Sequence, residues 1–528
     1  MIKKFQNPIV VIPIIVSVAL ILRLYYFPYD IPLTLDSLTY FWYSIDLSVT
    51  GEFPTISKDI PTGGIYRIPN NGWPTFLSLF MTVFDFENYI DYMNLQRAIS
   101  VSISVITIIP LYFLCRRFFN KSLSMLGTTI FAFHPLIIEN SIFGITEPLF
   151  ILLGTITIWL FLSKNYKMIL ISFIVAALFT LIRYEGLIIF LPLSVLFIIR
   201  YRKSKNIILK YSALCVIFIL VLLPMAYIRT ETIGHDGIIS NILNASKFYV
   251  TTATSTSNTT EIVNSSLDER NGLGFIGLGF FNLMKFLGVY SLPYILFLVP
   301  FGLIKIIKNK NFERYTLLVI GVSMMLVALY AFSRDIQDPR YLLILTPIVS
   351  VISVFTIDKI LNCIKKQKEV AITICIIFVV SSWGYLELTK TDLEYEQGAF
   401  EVARVVYEKT DIINGYHPED KYLRPIIAEF SDEFPKEKSL LPKPIKLINI
   451  EKIPSTTKLI ESYRNDGLEY IITDDVGTRP EFIKEIFSNE SEFSYLEKVF
   501  DSKDYGHNYN VKLFLIDYEE YDRIFNQP

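Results

Sequence analysis

Eleven long apolar runs constrain the fold of this chain more than any other feature of its sequence. A membrane-spanning helix needs about 20 mostly apolar residues, and runs approaching that length recur throughout the first 388 residues. They lie near 8 to 27, 94 to 114, 122 to 139, 147 to 163, 167 to 182, 186 to 200, 207 to 228, 284 to 304, 315 to 332, 341 to 358 and 369 to 388. We therefore expect an all-α polytopic membrane domain over residues 1–388. The first run lacks a cleavage site and is expected to be retained as a helix.

Basic residues orient these helices, because cytoplasmic loops carry the excess of Lys and Arg. The clusters are Lys3 and Lys4; Arg116, Arg117 and Lys121; Lys164 and Lys167; Arg200, Arg202, Lys203, Lys205 and Lys210; Lys305, Lys308, Lys310 and Arg314; and Lys359, Lys365, Lys366 and Lys368. They fall at alternate connections, which predicts a cytoplasmic N-terminus. The connections at 28–93 and 229–283 and the tail from Thr389 are then outside, in a multi-pass protein of the cell membrane.

One apolar segment, GWPTFLSLFMTVFDF at 72–86, is short for a span. Counting it as a span would move the basic clusters to the outside. We therefore interpret it as an interfacial or partly inserted helix, and the aromatic residues around it suit the headgroup level.

The tail differs from the membrane region in charge and pattern. From Thr389 onward it carries 18 basic and 29 acidic residues, although the whole chain has a net charge of only −2. We expect a separate extracytoplasmic α/β domain over residues 389–528, with no Gly-rich phosphate loop. Its predicted helices lie at 399–410, 456–467 and near 480–500, and its predicted strands at 445–450, 469–474 and 511–517.

The overall charge also excludes a strongly basic nucleic-acid-binding protein. The cysteines and histidines are scattered, without the spacing of a zinc site or a disulfide framework. They are Cys115, Cys215, Cys363 and Cys375, and His134, His235, His417 and His507.

Charged residues at the outer helix ends are the candidates for function, because charges near membrane segments are costly. With this topology they can meet in one outward-facing cavity. The set is Asp36, Arg67, Glu139, Glu147, Arg183, Glu185, Arg334, Asp335, Asp338 and Arg340.

Two acids in this set can have either a functional or a purely structural role. Asp36, in LTLDSLTYFWY, can serve as general base toward an acceptor hydroxyl or can cap a short helix. Glu147 precedes Pro148 at a helix start, where it can belong to a site or complement the helix dipole.

The arginines suit a phosphate, which a guanidinium group binds through two donors at once. Arg183, in LIRYEG, can bind an anionic headgroup or pair with Glu185. Arg340, followed by Tyr341 in DPRYLLILTP, can bind the same phosphate or anchor its helix at the interface.

These motifs and their order resemble the GT-C superfamily of integral-membrane glycosyltransferases. The resemblance is to the branch of protein O-mannosyltransferases and lipid A aminoarabinose transferases, and it covers the whole membrane region. It rests on LDSLTY, NNGWPTFLSLF, ITEPLF, LIRYEG and DPRYLLILTP, in that order. The tail is similar to the outer α/β domains of many prokaryotic members.

The resemblance implies inverting transfer of a sugar from a polyprenyl-phosphate carrier to an acceptor on the outer face of the bilayer. Asp36 then matches the catalytic acid of the first loop, and Glu147 matches a motif of less settled role. Arg183 and Arg340 match phosphate-binding positions, with Tyr341 beside them in the substrate site. Arg67 is a weaker candidate for the phosphate or the sugar. The acceptor, which is a protein, a lipid or a cell-surface glycan, stays open.

Two departures from the family pattern limit these expectations. Ser37 replaces the second acid that many members have after the first, and no WWDYG motif is present in the tail, which disfavours transfer of a whole glycan to asparagine. We predict no required metal or other cofactor, although a divalent cation held by Asp36 and a distant acid stays open. A transporter or lipid flippase and a non-catalytic scaffold are the alternatives to an enzyme.

Overall fold

The computed structural model of the chain describes residues 7–33, 35–51, 71–86, 88–240, 243, 272–308, 311–409, 453–474, 480–507 and 510–525. Two expectations, the ligand Arg67 and the strand at 445–450, lie outside these residues.

Helices make up the membrane region, and we number them in chain order. They are α1 (Pro8–Tyr25), α2 (Leu35–Thr50), α3 (Gly72–Met81), α4 (Tyr89–Ile106), α5 (Ile108–Cys115), α6 (Lys121–Ala132), α7 (Pro135–Ser141), α8 (Glu147–Phe161), α9 (Tyr166–Ile182), α10 (Phe190–Tyr201), α11 (Ile207–Ile233), α12 (Gly272–Tyr290), α13 (Ile295–Lys308), α14 (Phe312–Ser333), α15 (Thr346–Asn362) and α16 (Gln367–Lys409). Two 3-10 helices, Tyr184–Ile189 and Pro339–Leu345, lead directly into α10 and α15.

The lengths of these helices agree with a multi-pass membrane protein. Within the described ranges, seven helical segments are long and apolar enough to cross a bilayer, or nine if each of two bent pairs is one span. The bent pairs are α6 with α7 and α12 with α13. The shorter apolar helices α8 and α9 cover the remaining predicted runs. The expected polytopic helical domain is therefore confirmed.

The predicted span near 284–304 is bent in its middle. Helices α12 and α13 meet at a bend of 110°. Pro293 has no N–H to continue the helical hydrogen bonds, and the amides of Ser291 and Leu292 turn back to carbonyls of α12.

Close packing brings the short helix α3 against the end of α9. A Cβ atom added at Gly72 would lie 2.5 Å from the carbonyl oxygen of Leu181, so only glycine permits this approach. Helix α9 is fixed in turn on α8, where the rings of Phe150 and Phe179 stack with centroids 3.9 Å apart. The first turn of α8 and the residues after α9 are thereby held side by side.

Helix α16 is 43 residues long and continues past the last predicted span. The helix expected at 399–410 is its continuation, so no break separates the two at residue 388. The hydroxyl group of Tyr26 donates a hydrogen bond of 2.9 Å to Glu387, which ties the end of α1 to α16.

The tail contains a three-stranded antiparallel sheet. Its strands β1 (Tyr470–Asp474), β2 (Leu496–Asp501) and β3 (Val511–Ile516) pair in the order β1-β3-β2. Helices α17 (Thr456–Tyr463), α18 (Glu481–Ser488) and α19 (Tyr518–Phe525) accompany it. A small C-terminal α/β unit is therefore confirmed.

One prediction for the tail is wrong in its second half. The helix expected near 480–500 ends at Ser488, and β2 follows it. The apolar residues of β2 explain the error. Leu496 and Phe500 are buried four residues apart, a spacing that one face of a helix and one face of a strand share, and the exposed Glu497 and Lys498 between them leave no strict alternation.

Candidate active site

The candidate site forms at one end of the helix bundle, where four segments begin or end. The first turn of α2 carries Asp36 and the first turn of α8 carries Glu147. Arg183 follows the last residue of α9, and Arg340 with Tyr341 opens the 3-10 helix at Pro339–Leu345. Helix ends collect charged residues because their backbone groups have no partners within the helix.

Arg183 lies between two carboxylates. One of its terminal nitrogens is 2.5 Å from Glu147 and the other is 3.1 Å from Glu185. All three side chains are at most 14% exposed. The guanidinium group also lies over the rings of Phe150 and Tyr341, with centroid distances of 5.8 and 5.4 Å. Aromatic faces attract a cation, so Arg183 is fixed in position on several sides.

Arg340 also contacts two carboxylates, but less tightly on one side. Asp338 caps the 3-10 helix by accepting a hydrogen bond of 2.8 Å from the amide of Arg340, and it also pairs with the guanidinium group. The second partner, Asp36, is 3.5 Å away. The Asp36 side chain is 64% exposed, so its carboxylate faces solvent and only one of its oxygens meets Arg340.

A small cavity joins the two arginines, with a volume of about 20 Å³. Its charged side consists of Glu147, Arg183, Glu185 and Arg340. Its other side is apolar, and the residues there are Phe150, Ile151, Met324, Val327 and Ile344. The cavity is therefore a boundary between ionic groups and the apolar interior of the bundle.

The carboxylates outnumber the guanidinium groups around this cavity. Two arginines meet four acids, namely Asp36, Asp338, Glu147 and Glu185. An anion that binds here must compete with a carboxylate for an arginine. The long contact to Asp36 is the weakest of the four, so Arg340 is the arginine that an anion can engage at least cost.

Two buried polar residues of α4 support the site, and the sequence reasoning missed both. Gln96 donates hydrogen bonds of 2.9 and 2.7 Å to the carbonyl oxygens of Ser37 and Gly144. Ser37 lies beside Asp36 in the first turn of α2, and Gly144 precedes α8, which begins at Glu147. Arg97 donates to the carbonyl oxygens of Pro28, Ile31 and Pro32. A polar pair inside the apolar run near 94–114 was the available signal.

The structure brings together five of the six predicted site residues. Four of them, Glu147, Arg183, Arg340 and Tyr341, line the cavity, and Asp36 contacts Arg340. Their chemical roles stay predictions. The wider set of outer charges does not converge fully, because Asp335 contacts Asn282 and Gln337 instead.

The part of the chain that the structure describes contains no group of three or more His, Cys, Asp and Glu side chains that could hold a metal ion. The open question of a divalent cation at Asp36 stays a matter for experiment.

No family model matches the chain, and no curated protein sequence matches it either. Solved structures do match. The Archaeoglobus fulgidus oligosaccharyltransferase in complex with zinc and sulfate is 12% identical, with 91% of this chain and 68% of that chain covered and a TM-score of 0.55. The same enzyme tethered to an acceptor peptide is also 12% identical, with 88% of this chain and 69% of that chain covered and a TM-score of 0.52.

ArnT from Cupriavidus metallidurans bound to undecaprenyl phosphate is also similar, at 9% identity over 95% of this chain and 97% of that chain. Its TM-score of 0.48 is too low to establish a common fold by itself. The oligosaccharyltransferase comparison does establish the fold. The chain shares the fold of this oligosaccharyltransferase, which agrees with the resemblance expected from the motifs.

Proposed function

We propose that this protein is a membrane glycosyltransferase that moves a sugar from a polyprenyl-phosphate carrier to an acceptor on the outer face of the bilayer. One observation carries the proposal. A solvent-facing carboxylate, Asp36, lies 3.5 Å from Arg340 at a cavity that also contains the buried pair of Arg183 and Glu147. A base and a phosphate-binding cation are thus neighbours.

The predicted outer location of the site and its lining support a lipid-borne donor. Nucleotide sugars are not available outside the membrane, so the activated sugar must arrive on a lipid. Such a donor has a long apolar chain, a phosphate and a sugar. The cavity offers apolar residues such as Phe150 and Ile344 beside two arginines, which is the combination that this donor requires.

The reaction is an inverting displacement in which Asp36 and Arg340 have opposite tasks. The acceptor hydroxyl oxygen forms a bond with the anomeric carbon, and Asp36 takes the proton of that hydroxyl. The bond between the anomeric carbon and the phosphate oxygen breaks, and the electron pair leaves with polyprenyl phosphate. Arg340 and Arg183 stabilise the charge that develops on that phosphate. Glu147 keeps Arg183 oriented.

The acceptor carries a nucleophilic hydroxyl group. The A. fulgidus oligosaccharyltransferase of the same fold has been solved with a tethered acceptor peptide containing the NVT sequon, which supports a protein among the candidates. A lipid or a surface glycan meets the same chemical requirement.

The proposal is tested by measuring release of free polyprenyl phosphate. The purified protein is given a panel of polyprenyl-phosphate sugars and crude membrane acceptor. We expect release from at least one donor, reduced about 100-fold or more in Asp36→Asn, because general base catalysis typically contributes at least that factor. Asp30→Asn is the matched control, since Asp30 is an exposed carboxylate in the connection that precedes α2.

Each outcome has a distinct meaning. Release that survives Asp36→Asn would move the base elsewhere, with Glu147 the next candidate. Absence of release from every donor would favour the transporter or scaffold alternatives in proportion to the breadth of the panel.

A further inference from the structure

A second, larger cavity lies away from the candidate site, at the opposite end of the bundle. It is a groove of about 660 Å³ between α1 and α16, with α6 and the end of α15 beneath it. It shares no residue with the cavity at Arg183 and Arg340. The motifs and the proposed reaction give it no role.

The walls of the groove are apolar over most of its length. Helix α1 contributes Ile14 and Val18, and α16 contributes Ile372, Ile376 and Val380, all of them at least 36% exposed. Side chains of this kind on two membrane helices face the hydrocarbon region, so the groove opens sideways to lipid.

The length of the groove matches one leaflet. Its residues on α16 extend from Gln367 to Val380, a helical rise of about 20 Å. Half of the hydrocarbon core of a bilayer measures about 15 Å. An acyl chain of one leaflet can therefore lie along the groove with its headgroup at the end where Lys368 is found.

That end is polar and basic. Asn120, Ser122, Asn362, Gln367 and Lys368 line it, together with Asp358. The Asp358 carboxylate is already neutralised by the ammonium group of Lys305 at 2.8 Å. Further lysines adjoin the same end in the sequence, at Lys121, Lys359, Lys365 and Lys366, and the last of them pairs with Glu369 at 3.4 Å. The polar end of the groove thus has a surplus of positive charge.

We propose that this groove binds one anionic glycerophospholipid, with an acyl chain between α1 and α16 and the phosphate near Lys368. The apolar walls of the groove suit the acyl chain of such a lipid, and its basic end suits the phosphate. A helix from a second copy of the chain would satisfy the apolar walls, but the apolar spans of this chain hold at most two charged residues in 18 and match the surplus of lysines poorly. The inference is independent of the proposed glycosyl transfer.

The test is lipid retention by the full-length protein in native mass spectrometry. The protein is delipidated in mild detergent and titrated with phosphatidylglycerol or phosphatidylcholine of equal chain length. We expect a single tightly held phosphatidylglycerol, retained at least tenfold better than phosphatidylcholine. Lys368→Gln should remove most of that preference, and Ile376→Trp, which fills the groove, should remove the tightly held lipid altogether.

Leu220→Trp is the matched control, because Leu220 lies on α11, is 57% exposed and is not part of the groove lining. It should leave retention unchanged. Equal retention of both lipids, or retention that none of the variants alters, would overturn the proposal in favour of general annular lipid. A dimer that is lost in Ile376→Trp, without bound lipid, would assign the groove to a second copy.

Discussion

Arg183 illustrates how a single side chain is held at a membrane boundary. Two carboxylates and two aromatic rings surround it, and the closest contact, 2.5 Å, is to Glu147. Removing charges from water is costly, and only good geometry offsets that cost. The pair therefore adds less to stability than its short distance suggests, whereas leaving one partner alone is expensive.

We expect Glu147→Gln to destabilise the protein by about 3 kcal/mol, because it leaves a buried guanidinium with one fewer counter-charge. Thermal unfolding in detergent measures the effect. Glu369→Gln is the control, since Glu369 forms a surface pair with Lys366 and is 67% exposed. That change should cost less than about 1 kcal/mol. Equal effects of the two variants would contradict the buried-pair account.

The residues of the site could be predicted individually, but their partners could not. Glu147, Arg183 and Arg340 are recognisable because each is a charge at the end of an apolar run, and Asp36 follows the first run by nine residues. Which acid pairs with which arginine depends on the packing of α2, α8 and α9. Gln96 escaped notice because its importance lies in two distant carbonyl groups.

At the scale of elements, the local sequence pattern predicts most helices, but breaks and strands depend on tertiary context. The apolar runs predict helices well, because a span must satisfy its backbone hydrogen bonds internally. The break between α12 and α13 depends on a single proline within such a run. Strand β2 was predicted as a helix because its buried residues, Leu496 and Phe500, are four positions apart, a spacing that helices and strands share.

The C-terminal sheet contains an ionic cluster that makes its stability depend on pH. Glu490 accepts hydrogen bonds from Lys512 at 2.5 Å and from Lys498 at 2.9 Å. Burial alone would disfavour the charged carboxylate, but these lysines outweigh it and hold the pKa of Glu490 below its ordinary value. The stabilisation is present above the unfolded pKa of about 4.3. It is lost as the pH falls through the lowered folded value.

We therefore expect Glu490→Gln to weaken the sheet at neutral pH and to make little difference below the folded pKa of Glu490. Hydrogen exchange of the β3 amides, followed against pH in the full-length protein, measures this. Glu492→Gln is the control, because Glu492 is exposed in the same 3-10 turn. A pH dependence that Glu490→Gln leaves unchanged would assign the effect to another group.

At the scale of the whole molecule, the distribution of charge defines two faces. The candidate site lies at one end of the bundle, and the lysines beside the groove lie at the other. The excess of Lys and Arg on short connections predicts that the groove end is cytoplasmic. The C-terminal sheet is then on the outside with the candidate site.

Cysteine labelling in intact cells tests this topology. In a background free of the four native cysteines, we expect Lys503→Cys to react with a membrane-impermeant maleimide and Lys203→Cys to react only after permeabilisation. Lys203 lies between α10 and α11, and Lys503 lies between β2 and β3. The reverse pattern would place the site on the cytoplasmic face and remove the reason for a lipid-borne donor.

Helix α16 extends past the last predicted span and contacts the C-terminal unit. At 43 residues it is about 65 Å long, roughly twice the hydrocarbon core of a bilayer. His507, just before β3, pairs with Glu401 on this helix at 3.2 Å. If α16 shifted by one residue along its axis through the bilayer, Glu401 would move by about 1.5 Å along that axis and rotate by about 100° around it. Because membrane helices tilt or slide to match bilayer thickness, the thickness of the host membrane becomes part of the geometry of the domain that α16 carries.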